Sequence, residues 1–256
     1  PTTAGTGSEA TVAAVITDSK KKDKFAINDP NLVPDVAVLD ASLLESLPKS
    51  VIADTGMDAL CHAVEAYIGK SNTPMTRKYA LEAIALIHDN LPALYAGSSN
   101  EIIRRNMLDA SFYAGISFTR AYVGYVHSLA HAIGGIYHLS HGYCIAVLLP
   151  YVLKAYKSSV VRSLSKINDA LRISDSLAIK EEKAIAFIEW ISSLQKELGI
   201  PNTFQKKIRE EDYHRLAKHA YKEANPLYPV PRLLTTKQLE GILREANEGS
   251  HKEAQQ

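Results

Sequence analysis

Gly56-Met-Asp-Ala-Leu-Cys-His-Ala-Val-Glu-Ala-Tyr67 decides how this chain is read. Apolar residues recur at Ile52, Met57, Leu60, Val64 and Tyr67, roughly one face of a helix. Asp58 and His62 interrupt that apolar stretch. They stand four apart, so they share a face with about 6 Å of rise between them. A carboxylate and an imidazole placed this way can grip one cation from a single helix. A second helical segment, Val123 to His138, carries His127 and His131 at the same spacing. Gly134-Gly135 weakens its end, and His141 follows in what reads as a loop able to swing back.

A lone Asp-x-x-x-His pair often arises by chance on a helix surface. What argues for more is the apolar company of His62, His127 and His141, since a buried imidazole or carboxylate without a partner is costly. Together with Asp58 they offer three nitrogens and one oxygen. That mix suits Fe(II), Zn(II), Co(II) or Ni(II) better than Mg(II) or Ca(II). A position left for water or substrate makes such a site catalytic. His88, His214, His219 and His251 read as solvated or satisfied histidines. Cys61 and Cys144 read as small core residues.

Outward from this centre the pattern is helical. Thr73-Pro74 opens one helix, Asn100 to Ala121 spans another, and Leu148 to Tyr156, Val160 to Leu171, Glu181 to Leu198 and Glu210 to Ala224 continue. Thr235-Thr236 caps a last one from Lys237 to Ala246. Before residue 45 the reading changes. Ala10 to Thr17 suits a buried strand, Lys20 to Lys24 a polar turn, and Val33 to Asp40 a second strand. The expected fold is mainly α: a helical metal-binding domain over residues 46–256, after a short β segment (residues 1–45) that reads as the edge of a larger sheet.

Composition narrows the function. Hydrophobic residues make up 46%, enough for a sizeable core. A net charge of +1 gives no electrostatic case for nucleic acid or an anionic membrane. No apolar run approaches the ~20 residues that span a bilayer. Pro1 to Asp18 lacks the features of a secretory signal, and two cysteines suit a reducing cytoplasm. A start at Pro1 is expected to be an internal point of a longer protein.

Three motifs, Thr2-Thr-Ala-Gly-Thr-Gly-Ser-Glu9, Asp58-Ala-Leu-Cys-His-Ala-Val-Glu-Ala-Tyr67 and His127-Ser-Leu-Ala-His131 with His141-Gly142, resemble the iron-containing alcohol dehydrogenases in order and separation. The resemblance implies the helical half of that fold, also seen in dehydroquinate synthase-like proteins, and makes residues 1–45 the remnant of an α/β dinucleotide-binding domain. It implies hydride transfer between a small alcohol or diol and NAD or NADP. It places Asp58, His62, His127 and His141 on the ligands of Fe(2+) or Zn(2+). His131 falls on a histidine near metal and nicotinamide, a candidate proton relay. Thr2, Thr3, Gly5, Thr6 and Lys24 fall on cofactor contacts. A homodimer is the family expectation. The family's glycine-rich loop is missing here, since no G-x-G-x-x-G precedes the helical region. Two other readings stay open: a metal-dependent hydrolase, which needs no nucleotide, and a fragment without catalysis.

Overall fold

The computed structural model describes residues 1–18 and 23–249, with side chains described outside 17–26. In chain order, β1 (Ala13–Asp18) and β2 (Asp23–Asn28) precede α1 (Lys49–Ile68), α2 (Pro74–Tyr95), α3 (Glu101–Ala121), α4 (Tyr125–Tyr137), α5 (His141–Ala155), α6 (Ser158–Leu171), α7 (Lys180–Glu197), α8 (Tyr213–Ala224) and α9 (Thr236–Glu248).

Helix α1 is the axis of the bundle. It is buried on nearly every side from Met57 to Ile68, which only a helix surrounded by others can be. Helices α2, α3, α5 and α6 pack on it. Met57, Leu60 and Val64 are wholly inaccessible to water, and each such side chain contributes roughly 1.5–3 kcal/mol. The outer helices are amphipathic. In α6, Val160, Leu164 and Ile167 face inward; in α9, Leu239, Ile242, Leu243 and Ala246 do. Helix α4 lies between α5 and α8, and α8 in turn packs on α9.

Local chemistry sets the helix ends. Thr73 caps α2 through a reciprocal pair with Thr76, with Pro74 at the first helical position, and Thr235 does the same for α9 with Gln238. The Asn100 side chain accepts from the Ile102 N–H at the start of α3. Helix α4 runs straight through Gly134-Gly135 and ends at His138, whose φ of 54° is left-handed. Helix α5 starts at His141, seven residues earlier than the apolar pattern at Leu148 indicates.

The first 45 residues depart further from expectation. Strand β1 forms, but Val15 and Ile16 are 54% and 44% exposed, so it is not a buried strand. Its antiparallel partner is β2, in register from Ala13 opposite Asn28 to Asp18 opposite Asp23. The expected turn over Lys20 to Lys24 therefore gives way at Asp23 and Lys24 to a strand; residues 19–22 lie outside the described residues. Val33 to Asp40 forms no strand. It runs between two 3-10 turns with Val36 and Val38 exposed, because no neighbouring strand among the described residues offers it a ladder.

This segment is anchored on α3. The Gly7 N–H donates to Ser111 Oγ at 3.2 Å, and Thr119 Oγ1 donates to the Ala10 carbonyl at 3.1 Å. The buried Arg104 guanidinium reaches the Ala41 and Ser99 carbonyls and the Glu45 carboxylate. Ala4, Ala41 and Leu44 share the apolar core of the helices. Among the described residues, no single helix is long and apolar enough to cross a membrane.

Candidate metal centre

Three imidazoles converge on one carboxylate oxygen. Asp58 Oδ1 lies 3.8 Å from His62 Nε2, 3.6 Å from His127 Nε2 and 3.6 Å from His141 Nε2. Asp58 and His62 come from α1, His127 from α4 and His141 from the first turn of α5. His141 is thus a helix residue, not a loop residue. The three-residue connection between α4 and α5 brings it back beside His127.

These separations are too long for hydrogen bonds. Two ligand atoms about 2.1 Å from one tetrahedral ion stand about 3.4 Å apart, so the spacing fits a shared cation. Asp58 Oδ1 and His127 Nε2 are buried and have no hydrogen-bond partner. Buried polar atoms are normally paired, and a cation between them resolves both. On this geometry and donor chemistry the residues fit a divalent metal.

The walls hold the rings in place. His62 is stacked between Phe118, at 4.1 Å, and His127, at 4.5 Å. His131 stacks on His141 at 5.0 Å. The His141 side chain is 30% exposed while those of Asp58, His62 and His127 are nearly sealed, so the cluster opens to solvent on the His141 side.

Burial pushes His62 down to about 4 and His141 to about 3, with the nearby Asp58 charge only partly opposing it. Both rings are neutral near pH 7, as ligands must be. Burial disfavours ionised Asp58, but the His62, His141 and His127 rings outweigh it and hold the carboxyl below the usual range. Burial likewise opposes a charge on His127, yet Cys61, Asp58 and Glu65 around the ring raise it. A metal ion held at Nε2 would take the place of that proton. Cys61, pushed up to about 12 by burial and by Glu65, stays a thiol.

The signs give a pH prediction for the metal-free chain. His62 and His141 titrate lower in the folded chain than the ordinary imidazole value of 6.5. The unfolded chain therefore binds more protons, and stability falls as pH drops from about 6.5 toward 4. His127 acts oppositely: its raised value adds stability that is lost as pH rises above neutrality. Denaturant midpoints across the acid window should decrease steadily; a flat profile would count against the buried neutral imidazoles.

The other expected site residues fall as follows. His131, on α4, has its Nδ1 2.7 Å from Glu223 Oε1 on α8, and the Tyr228 hydroxyl donates to the same oxygen at 2.8 Å. Thr2, Thr3, Gly5 and Thr6 lie in a loop that meets α1. Gly5 is buried against Thr55, where a β-carbon would clash with that residue's backbone, and its own backbone lies against the His62 ring. Thr2 and Thr6 are exposed. Lys24 is in β2, and its side chain lies outside the described residues. Cys61 and Cys144 are buried, as expected. His88 and His214 pair with Asp89 and Glu240, while His251 lies outside the described residues.

Two acidic residues in contact with the histidines went unmarked in the sequence. Glu65 bonds His127 Nδ1 at 2.6 Å, and its signal was a carboxylate three residues beyond His62 in an apolar run. Glu223 had no such signal.

The fold and site define a helical domain with an aspartate and three histidines converging at its centre. The Fe-containing alcohol dehydrogenase C-terminal family model matches residues 52–247, and the iron-containing alcohol dehydrogenase model matches residues 1–41. The chain is 37% identical to NAD-dependent methanol dehydrogenase of Bacillus methanolicus, over 96% of its own length and 64% of the relative's. It is 39% identical to alcohol dehydrogenase 4 of Saccharomyces cerevisiae, with the same coverage of both chains. The crystal structure of a 1,3-propanediol oxidoreductase superimposes with a TM-score of 0.91 at 36% identity, covering 96% of this chain and 64% of that one. The chain belongs to the iron-containing alcohol dehydrogenase family. It spans 64% of the length of these relatives. They are named dehydrogenases, and the hydrolase reading gains no support from them.

Proposed function

We propose that this chain is the metal-holding part of an NAD- or NADP-dependent alcohol dehydrogenase that interconverts a small primary alcohol or diol and its aldehyde. The observation that carries this reading is the pair of buried, partnerless atoms Asp58 Oδ1 and His127 Nε2, 3.6 Å apart within a ring of imidazoles. Asp58, His62, His127 and His141 would hold Fe(2+) or Zn(2+). Thr2, Thr3, Gly5, Thr6 and Lys24 would meet the nucleotide. A cytoplasmic homodimer belongs to the same reading.

When bound, the metal supplies Lewis-acid polarisation of the substrate oxygen and the nicotinamide supplies hydride. The residues of the chain do the positioning and move the proton. Because the Glu223 carboxylate accepts from His131 Nδ1–H, His131 Nε2 is left to take or return the alcohol proton. Burial, and then Glu223, push the Tyr228 phenol up, so it remains a donor to that carboxylate. Phe118 covers one face of His62 and keeps water from that flank.

The test is oxidation of NADH or NADPH by short aldehydes with the metal-loaded whole enzyme of which this reading makes the chain a part, beside the same enzyme stripped of metal. Turnover that survives stripping, or none with any aldehyde, overturns the reading. His131→Gln should keep full metal content and lose about 100-fold or more in turnover. Metal loss in that variant would make His131 a ligand instead.

A further inference from the structure

His127 is gripped at both ring nitrogens by one face of α1. Asp58, His62 and Glu65 follow each other at intervals of four and three, so they form one stripe along that helix. Asp58 stands toward Nε2 at 3.6 Å, and Glu65 Oε2 stands against Nδ1 at 2.6 Å. Glu65 is buried, and both its oxygens are engaged. Oε2 also accepts the Gly124 N–H at 2.7 Å, and Oε1 accepts the Val126 N–H at 2.9 Å. These two amides sit at the start of α4, where the Gly124 cap residue has no side chain to offer them. A carboxylate from another helix therefore caps α4 and suits the positive end of its dipole. A β-carbon at Gly124 would collide with Glu65, so glycine there is what lets the carboxylate close in.

We propose that Glu65 is a positioning residue for the metal: it fixes His127 as the Nδ1–H tautomer and turns Nε2 toward Asp58. This rests on the metal reading above. Both Glu65 oxygens already accept from backbone N–H groups, so the carboxylate meets the ring as an acceptor too and the shared hydrogen sits on Nδ1. Nε2 is then the lone pair that faces the other ligands. Histidines that bind metal are commonly oriented in this way from behind, and loss of such a partner costs 10–100-fold in affinity. The backbone bonds matter as much. They hold the carboxylate still, so the ring is aimed before any ion arrives.

The same atoms allow a competing arrangement, because Cys61, Glu65 and His127 also stand close enough to hold an ion among themselves. That site would use Nδ1 and leave Nε2 turned to Asp58 as a donor. The two arrangements predict opposite tautomers. With both Glu65 oxygens already accepting from backbone amides, the geometry favours the site at Asp58.

The experiment is a long-range proton–nitrogen correlation spectrum of the histidine-labelled chain loaded with Zn(2+). The expected result is a His127 ring protonated at Nδ1 and bound to zinc at Nε2. Zinc on Nδ1, or a proton on Nε2, overturns the proposal. Glu65→Gln provides a second measurement. Its amide oxygen can satisfy only one side, so its NH2 must face either the Val126 N–H or the His127 ring. Co(2+) competition against a chelator should give 10–100-fold weaker binding with an altered cobalt visible spectrum. A capping role alone would lower stability and leave that spectrum unchanged, so wild-type affinity and spectrum in the variant overturn the proposal. A wild-type chain that takes up neither ion overturns the metal reading itself, which separates the two failures. If Glu65→Gln does not fold, the zinc spectrum of the wild type still decides.

Discussion

Asp58→Ala should leave the chain folded and unable to hold metal. Asp58 is the only anion among the four proposed ligands, and it faces three imidazoles of which His62 and His141 are neutral near pH 7. Without it, a divalent ion would be buried with no anion in direct contact, which a protein interior penalises strongly. Loss of a partner behind a ligand already costs 10–100-fold, so loss of the anionic ligand should exceed about 100-fold. Zinc at about a hundred times its Kd should raise the unfolding free energy of the wild-type chain by about 2.7 kcal/mol. The same zinc should do nothing for Asp58→Ala. Elemental analysis and denaturant midpoints with and without zinc read both effects. Equal zinc protection in the variant would remove Asp58 from the ligand set.

Gly142→Ala should damage stability and site together. Gly142 lies in the first turn of α5, pressed on the Asp54 backbone of α1, and a β-carbon would fall inside the Asp54 carbonyl. The obstacle is backbone within a buried helix, so α5 must move as a unit. Forced overpacking of this kind costs about 1–3 kcal/mol, and more where nothing can yield. The displaced residue next door is His141, whose Nε2 must stay near Asp58. Ser140, just before it, donates to the Asp54 carboxylate and is carried along. A lower denaturant midpoint and weaker zinc binding should appear in one variant. A drop in stability with unchanged zinc affinity would show that His141 is not fixed by this contact.

The helices were legible because their signals are local. Thr73-Pro74 and Asn100 mark helix starts and Thr235 a cap within a few residues, and in the structure each of the three threonine or asparagine side chains caps its helix. The spacing of Asp58 and His62 is equally local. The errors came where long-range contact decides. Gly134-Gly135 looked like a break, yet both glycines are buried inside α4, and the chain turns only at His138. That shift places His141 on a helix. Val33 to Asp40 has the composition of a strand, but pairing needs a neighbouring strand, and none lies beside it among the described residues. Glu65 stood in plain view within the first motif. Its role depends on Gly124, Val126 and His127, which approach it only once α4 docks on α1.

The docking of α1, α4 and α5 has a consequence for how the chain assembles. Asp58 and His62 share one helix and stand ready as soon as it winds, while His127 and His141 arrive only when distant stretches of chain close on it. Closing such loops costs entropy before any contact repays it. An ion caught by the early pair would be exchanged rapidly, and only the last arrivals would lock it. The onset of slow metal exchange would therefore mark the final collapse of the bundle, so that exchange rates report on assembly.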